Sequence, residues 1–360
     1  MNLAWKEIKY SKKNYILVEV TLILLMFMVI FLSGLTHGLD KAASSALNNI
    51  PAKNFIVNSD SEGAIASSNI TNEQMLKLKA ELGEDVSELL IHRSYITTGD
   101  SDTKVDIAYF GINMEENLNP EVSEGEKLGL EKNTIVLDTK FKTENINIGD
   151  NIIDSASGEK LKVVGFITDN TYSYTGVGYV SLDTLKSLKT IVNSNYKGSY
   201  TTLVTNKDIK DTFKSEGMLV KTKEEIINKL PGFEAQQGTI IMITWVLVII
   251  SAAILGVFFY IITIQKKQTY GVMKALGMRN LEITKILVTQ ILILAIIGVI
   301  ISNIIAYGIG LMLPPTLPYF VKYGELAIII VAFIIISILS GLISIAKIAK
   351  VDPLITIGGK

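Results

Sequence analysis

The sequence predicts a membrane α-helical protein: four transmembrane helices, with an α+β extracytoplasmic domain inserted between the first and the second. Three observations lead there. The 360 residues are 49% hydrophobic and 19% charged, too apolar for a water-soluble domain, yet a long middle section is polar. The apolar residues gather into four runs, 15–36, 239–264, 286–313 and 326–346, each able to cross a hydrocarbon core of about 30 Å. Basic clusters mark every end assigned to the cytoplasm, whereas Lys322 is the single basic residue of the short outer loop 314–325.

Composition also excludes. A net charge of -1 gives no reason to expect nucleic acid as a partner. With no cysteine, disulfides, zinc–thiolate sites and thiol catalysis are ruled out together.

In chain order, residues 1–14 form a basic amphipathic segment, Lys6, Lys9, Lys12 and Lys13 accompanying the interface anchors Trp5 and Tyr10. The apolar run that follows, 15–36, is longer than the 7–15 residues or so of a cleaved signal peptide, so an uncleaved first span is expected. Glu19, near its cytoplasmic end, is expected to snorkel to the interface. Leu35, Leu39, Ala42, Ala46 and Leu47 keep a helical period through a stalk, 37–51, that stops at Pro51.

The domain 52–221 alternates β-like runs with amphipathic ones. Strands are expected at 54–57, 89–96, 105–112, 134–138, 160–167 and 177–182. Helices are expected at 71–82, with Thr71 and Gln74 in capping-box spacing, and at 183–188 and 206–214. The acidic residues Glu115, Glu116, Glu121, Glu124, Glu126 and Glu131 lack the alternating pattern of a calcium loop and read as solvated. A return stalk, 222–238, is broken at Pro231 and Gly232.

Beyond the second span, 265–285 is a basic, helix-prone cytoplasmic segment carrying Lys266, Lys267, Lys274, Arg279 and Lys285. It offers Tyr270, Val272, Met273 and Leu276 to a cytosolic partner, and Gly277 stands where a helix C-cap belongs. In the third span Gly298, Ser302, Ala306 and Gly310 recur every fourth residue, a small-residue stripe that admits another helix. Ser337, Gly341 and Ser344 are small packing positions in the fourth, and Lys347, Lys350 and Lys360 hold the tail 347–360 in the cytoplasm.

The wording of the cytoplasmic segment, YGVMKALGMRNLEI, resembles the coupling helix of the FtsX-like permeases, the membrane subunits of MacB-type (type VII) ABC transporters. Gly271, Lys274, Ala275, Leu276 and Gly277 match its motif; Asp352 and Pro353 match the family's closing signature, with Thr356 in place of the usual alanine. The chain has no phosphate-binding loop of its own. The resemblance therefore implies a non-catalytic permease without intrinsic cofactor, in the cell membrane with both termini cytoplasmic. It implies two copies of a separate ATPase that binds the ATP, and a second copy of this chain, because four helices are few to enclose a path.

Within that family the opening AWKEIKYSKKNYILVEVTLILL, then FFYIITIQKKQTYGVMKALGM, VTQILILAIIGV and KVDPLITIGG are most similar to the haem-exporting Hrt permeases of Gram-positive bacteria. Haem iron accepts tyrosine, histidine or methionine, and the macrocycle needs an apolar slot. The candidate haem contacts are Tyr172, Tyr174, Phe233, Glu234, Met242 and His37, in the zone where the resemblance puts the haem; iron ligation would fall to Tyr172 or Tyr174, with Tyr179 nearby. Where the family can carry tyrosine near Phe233, this chain has a ring that stacks but cannot ligate. His37 and His92 are isolated in sequence and read first as surface or packing residues, as a tyrosine pair at a strand edge does. Two alternatives stay open: export of an amphipathic peptide, antibiotic or lipid, and an FtsX-like scaffold that activates cell-wall hydrolases without carrying a substrate.

Overall fold

Thirty-eight residues from Lys12 to Asn49 form one helix, α2, because nothing between them breaks it. Gly34 and Gly38 fall inside it, and the first proline, Pro51, follows its end. In this computed structural model the described residues are 2–83, 85–98, 101–114, 118–129, 131–210, 213, 215–314 and 317–348. Asp352, Pro353, Thr356, Lys350 and Lys360, Glu115 and Glu116, and the side chains of Ser344 and Lys347 lie outside them. The chain divides into two compact units, 1–38 with 237–360, and 39–236.

The first unit holds α1 (Asn2–Tyr10), the start of α2, and four further helices. The inserted unit first contributes α3 (Asn72–Leu82), α4 (Leu182–Val192) and α5 (Lys223–Asn228). Then come α6 (Phe233–Gln265), α7 (Lys267–Ala275), α8 (Asn280–Met312) and α9 (Tyr323–Ile348). Among the described residues α2, α6, α8 and α9 are the four helices long and apolar enough to cross a membrane. Their outward residues are large and apolar, Leu24, Trp245, Ile304 and Val331 among them, as a lipid-facing surface requires. The third span starts at Asn280, six residues before the hydropathy profile suggests. The Glu282 carboxylate accepts the Arg279 main-chain N–H at 2.9 Å, so a polar first turn is built where only apolarity was sought.

Small residues set the spacing in this unit. Gly298, Ser302 and Ala306 are buried on α8. The Ser302 hydroxyl donates to its own helix at Gly298 and reaches the Ile23 carbonyl of α2 at 2.9 Å. Gly310 makes room for the Tyr319 ring. A Cβ on Gly38 would overlap the Pro318 carbonyl, so the α8–α9 connection lies directly on α2. It is fastened there by the Phe320 N–H on the Gly34 carbonyl, 2.9 Å, and by Tyr319 stacked on Phe31. Glu19 departs from the snorkelling expectation. Both its oxygens are buried without a hydrogen-bond partner, and a Cβ on Gly298 would sit 3.6 Å from one of them. Close packing of α2 on α8 at that glycine leaves the carboxylate between the helices.

At the α1 end of the same unit four polar side chains close a network. The Lys266 ammonium lies 3.0 Å from Glu7 and donates to the Tyr15 hydroxyl at 2.9 Å. Tyr15 donates to the Gln290 Oε1 at 2.9 Å, and the Gln290 Nε2 returns to Glu7 at 2.5 Å. The Glu7 and Lys266 side chains are only 13% and 14% exposed. One residue each from α1, α2, the α6–α7 junction and α8 is thereby held in a single closed circuit.

The inserted unit carries thirteen strands among its described residues: β1 (Asn54–Asn58), β2 (Ile70–Thr71), β3 (Val86–Thr98), β4 (Ser101–Ile112), β5 (Glu124–Gly125), β6 (Thr134–Asp138), β7 (Asn151–Asp154), β8 (Lys160–Ile167), β9 (Thr171–Tyr172), β10 (Thr175–Ser181), β11 (Ser199–Tyr200), β12 (Thr202–Thr205) and β13 (Met218–Thr222). The main sheet runs β13-β1-β12-β3-β4-β10-β6-β8-β5, and β7 pairs with both β3 and β8. That second pairing closes β3, β4, β10, β6, β8 and β7 into a ring whose inside is filled by Ile107, Tyr109, Ile135, Leu137, Phe141 and Phe166. Asp154 of β7 is buried in it, accepting from Ser94 at 2.6 Å and from the Ser157 N–H and hydroxyl. Thr71 caps α3 in the expected box with Gln74, and Thr222 caps α5 in a second one with Glu225. The accepted main-chain N–H of Thr222, ahead of the Lys210 ammonium, holds the Glu225 carboxyl down at about 2. The helix expected at 206–214 is absent from its described residues. Side chains capture the backbone there instead: the Lys207 N–H donates to the Thr205 hydroxyl and the Lys207 carbonyl accepts from Asn54.

The buried circuit makes a stability prediction. Lys266→Met leaves the largely buried Glu7 carboxylate without its ion-pair partner and should cost up to about 3–5 kcal/mol, because breaking a buried pair leaves its partner uncompensated. Adding Glu7→Gln should recover much of the loss. Thermal unfolding of the purified protein in detergent reads this, and a single variant that melts with the wild type would show that the pair contributes nothing.

Candidate functional site

Two places collect the residues singled out by the sequence. The first is α7, a two-turn helix between spans. Its C-terminus is built as expected: Gly277 takes φ +93° and its N–H donates to the Lys274 carbonyl at 3.0 Å, a left-handed stop that costs glycine nothing. Its faces divide by helical spacing. Tyr270, expected to be offered to a partner, is instead 1% exposed and packs with Ile283 and Leu287 of α8, and Met273 leans on the same cluster. Gly271 is buried beside it. Outward stand Val272, Ala275 and Leu276, the last 80% exposed, with Lys274 half-buried at their edge. The free surface of α7 is therefore polar at its start, at Lys267, Gln268 and Thr269, and ends in a small apolar patch. Glu7, Tyr15 and Gln290, which fix the base of this helix through Lys266, carried no sequence signal beyond an acid, a tyrosine and an amide in otherwise basic or apolar surroundings.

The second is the β9–β10 hairpin. Its two turn residues, Ser173 and Tyr174, take φ +46° and +68°, the left-handed pair of a type I′ turn, which glycine and asparagine favour and tyrosine resists. Strain of this kind costs on the order of 1–3 kcal/mol per residue and persists only where the surroundings impose it. Here α2 imposes it. The Ser173 and Tyr174 N–H groups donate to the Ala43 and Ala42 carbonyls at 2.8 and 3.0 Å. Ser45 meets the Thr171 hydroxyl at 2.9 Å, and Lys41 pairs with Asp169 at 2.8 Å. The Tyr174 carbonyl accepts from Lys140 at 2.9 Å, and its hydroxyl donates to Gln236 of α6.

The candidate haem contacts are divided between the two units. Tyr172 is 2% exposed, edge-on to Phe110, in the same buried cluster as Phe233 and Tyr179. Burial pushes its phenol up to about 12, against the lowering effect of Arg93. Two residues along the hairpin, Tyr174 is exposed; burial pushes it up only in part, and the Gln236 hydrogen bond opposes that. Glu234 is exposed in the first turn of α6. Met242 is exposed further along α6, in the other unit. His37 belongs to that other unit too, where its Nε2 lies 2.6 Å from Glu325, itself 2.6 Å from Lys322. Its ring is thus occupied in holding α2 to α9. Among the described residues no three His, Asp or Glu side chains stand close enough to hold a metal ion.

Comparison with known proteins adds what geometry does not. Over its full length the chain is 29% identical to a protein named hemin transport system permease protein HrtB from Staphylococcus haemolyticus, across 360 residues and 99% of that relative. It is 28% identical, across 362 residues, to the protein of the same name from Staphylococcus epidermidis. Among solved structures it overlaps the extracellular domain of the ABC-type transporter YknZ from Gram-positive bacteria, with TM-score 0.34 and 17% identity over 47% of this chain and 98% of that one. The periplasmic region of MacB from Actinobacillus actinomycetemcomitans overlaps with TM-score 0.35 and 15% identity, over 50% and 93%. Residues 241–353, which span most of α6 and all of α7, α8 and α9, match the C-terminal domain family of FtsX-like permeases. The helices around α7 thus match an FtsX-like permease C-terminal domain, and along its whole length the chain is similar to permeases named for hemin transport.

Proposed function

We propose that this chain is the permease subunit of an ABC efflux transporter, and that it exports haem from the membrane by force transmitted from a separate ATPase. The observation that carries the reading is the likeness to permeases named for hemin transport along all 360 residues, 99% of the relative included. Local physics supports the mechanical part. The uncovered Val272, Ala275 and Leu276 patch on α7 suits a groove on a cytosolic ATPase, and helix-in-groove docking needs such apolar anchors. The buried Glu7–Lys266–Tyr15–Gln290 circuit joins the base of α7 to α1, α2 and α8. A push on α7 would therefore move the helices together rather than bend one joint. Two copies of the permease and two ATPases make the natural assembly, with both termini and α7 in the cytoplasm and residues 39–236 outside. In this scheme α2 and α6, continuous through 12–49 and 233–265, carry the motion. No passage through a cytoplasmic cavity is needed.

For the cargo, Tyr174 is the strongest of the named ligands. It is the exposed phenol of the set, and it stands on a turn whose strain is maintained by α2 and whose hydroxyl is tied to α6. Tyr172 and Phe233 support it from the core. An amphipathic peptide, an antibiotic or a lipid remains the alternative cargo.

Two outcomes are expected. Leu276→Glu should leave the permease folded but weaken ATPase binding about tenfold or more, because an interface anchor is worth roughly 1–2 kcal/mol. Substrate-stimulated ATP hydrolysis by the reconstituted complex should fall with it, and unchanged stimulation would remove α7 from the mechanism. Purified permease given haemin should develop a Soret band; Tyr174→Phe should change that spectrum, whereas Tyr172→Phe, His37→Ala and Met242→Ala should not. A band indifferent to Tyr174→Phe rejects that residue. Absence of both binding and haemin sensitivity in cells lacking the permease rejects the cargo.

A further inference from the structure

The long strand β3 pairs with β4 along one edge from Leu89 to Thr98, but its other edge is covered only at its ends. There β12 pairs with Val86–Leu89 and β7 with Ile96–Thr98. Between them the edge stands open. Leu89, Ile91 and Tyr95 use their main-chain groups on this side, in bonds to Thr201 and Ser155. By strand alternation the N–H and C=O of Arg93 point the same way, into the gap. A cavity of about 630 Å³ occupies it, wholly within residues 39–236. Because the strand edge is open, side chains from both faces of β3 reach the cavity. Arg93 lines it on the side of Tyr172, and His92 on the side of α4, whose Lys189 also lines it.

Charge in this cavity has one sign. Arg93 and Lys189 are its cations, and no aspartate or glutamate is among its lining residues. Arg93 spends one donor on the Thr175 hydroxyl, 3.1 Å away, of the five a guanidinium carries. Lys189 lies 4.6 Å from the centre of the Tyr196 ring, which steadies it without neutralising it. Burial, then the Lys189 ammonium, push the His92 imidazole down, so at pH 7 it is neutral and adds a polar donor or acceptor. The buried Tyr172 hydroxyl has no hydrogen-bond partner. Around these stand hydroxyl and amide groups, from Ser67, Asn69 and Asn193. Two cations fix a negative group, and a rim of neutral hydrogen-bonding groups suits a hydroxyl-rich carrier of that group.

We infer that this gap in the sheet is a binding site for a small anionic, hydroxyl-rich ligand, a sugar acid or a sugar phosphate, with Arg93 and Lys189 holding its charge. The site does not rest on the haem reading, since neither its cations nor its ligand involves iron. Full-length permease in nanodiscs of neutral phosphatidylcholine, titrated calorimetrically with glucuronate, glucose 1-phosphate and glucose, tests it. At least one anion should bind saturably, more weakly as salt is raised, while glucose should not; the anion that binds identifies the carboxylate or phosphate class. Arg93→Met and Lys189→Met should each weaken that binding by about tenfold or more, since a charge-assisted bond is lost in each. Arg93→Lys should keep part of it. Both side chains reach solvent, so the variants should melt with the wild type. Binding of neither anion, equal binding of glucose, or unchanged binding in both methionine variants overturns the assignment.

Discussion

A carboxylate and an ammonium held side by side with little exposure each need the other's charge, and in this chain that constraint falls on Glu7 and Lys266. Satisfying them takes Tyr15 and Gln290 as well, so four separate stretches of chain meet within hydrogen-bond distance. Lys266 is also the residue at which α6 stops and α7 begins. The direction of α7 is consequently set by the same bonds that pin α1 to α8. With its base held there, Tyr270 turns under α8, and the opposite face, Val272, Ala275 and Leu276, is left for something else. A membrane helix bundle has little hydrophobic drive between its own helices. A closed polar circuit at one end, and small residues such as Ser302 and Gly298 along the α2–α8 contact, take over that role.

The inserted unit solves a different problem, holding a strained turn in place. Ser173 and Tyr174 adopt a geometry their side chains disfavour, and they keep it because the carbonyls of Ala42 and Ala43 accept their N–H groups. Those carbonyls are available because small residues recur there in α2, letting the hairpin approach the helix backbone. The ring of strands behind, closed by β7, gives the hairpin a rigid floor through Phe110 and Tyr172.

Much of this was readable beforehand, and the failures have identifiable causes. Hydropathy found all four spans but placed the start of α8 too late, since a capped polar turn looks like a loop to an apolar scan. Tyr172 and Tyr174 looked equivalent as a pair two residues apart in a strand. Tyr172 ends β9 and Tyr174 belongs to the turn itself, so one ring enters the core and the other stays in solvent. Helical periodicity on α7 fixes the spacing of its faces, yet which side turns inward depends on α8, so Tyr270, expected on the partner-facing side, lies on the buried one. His92 offered no local motif, because what gives it a setting is Lys189, ninety-seven residues away in sequence and adjacent only once α4 packs on the sheet.

Apolar run length, the siting of Pro51, the Thr71 capping box and the Gly277 stop are local, so they can be read along the chain: each depends on residues within about one helical turn. The pairing of β7 with both β3 and β8, the gap it leaves beside Arg93, the His37–Glu325 contact and the Glu7 circuit join residues separated by scores to hundreds of positions. Many partners of the right charge or polarity exist for each of these groups. Only the folded backbone, by bringing one of them within 3 Å and excluding water from the rest, selects among them.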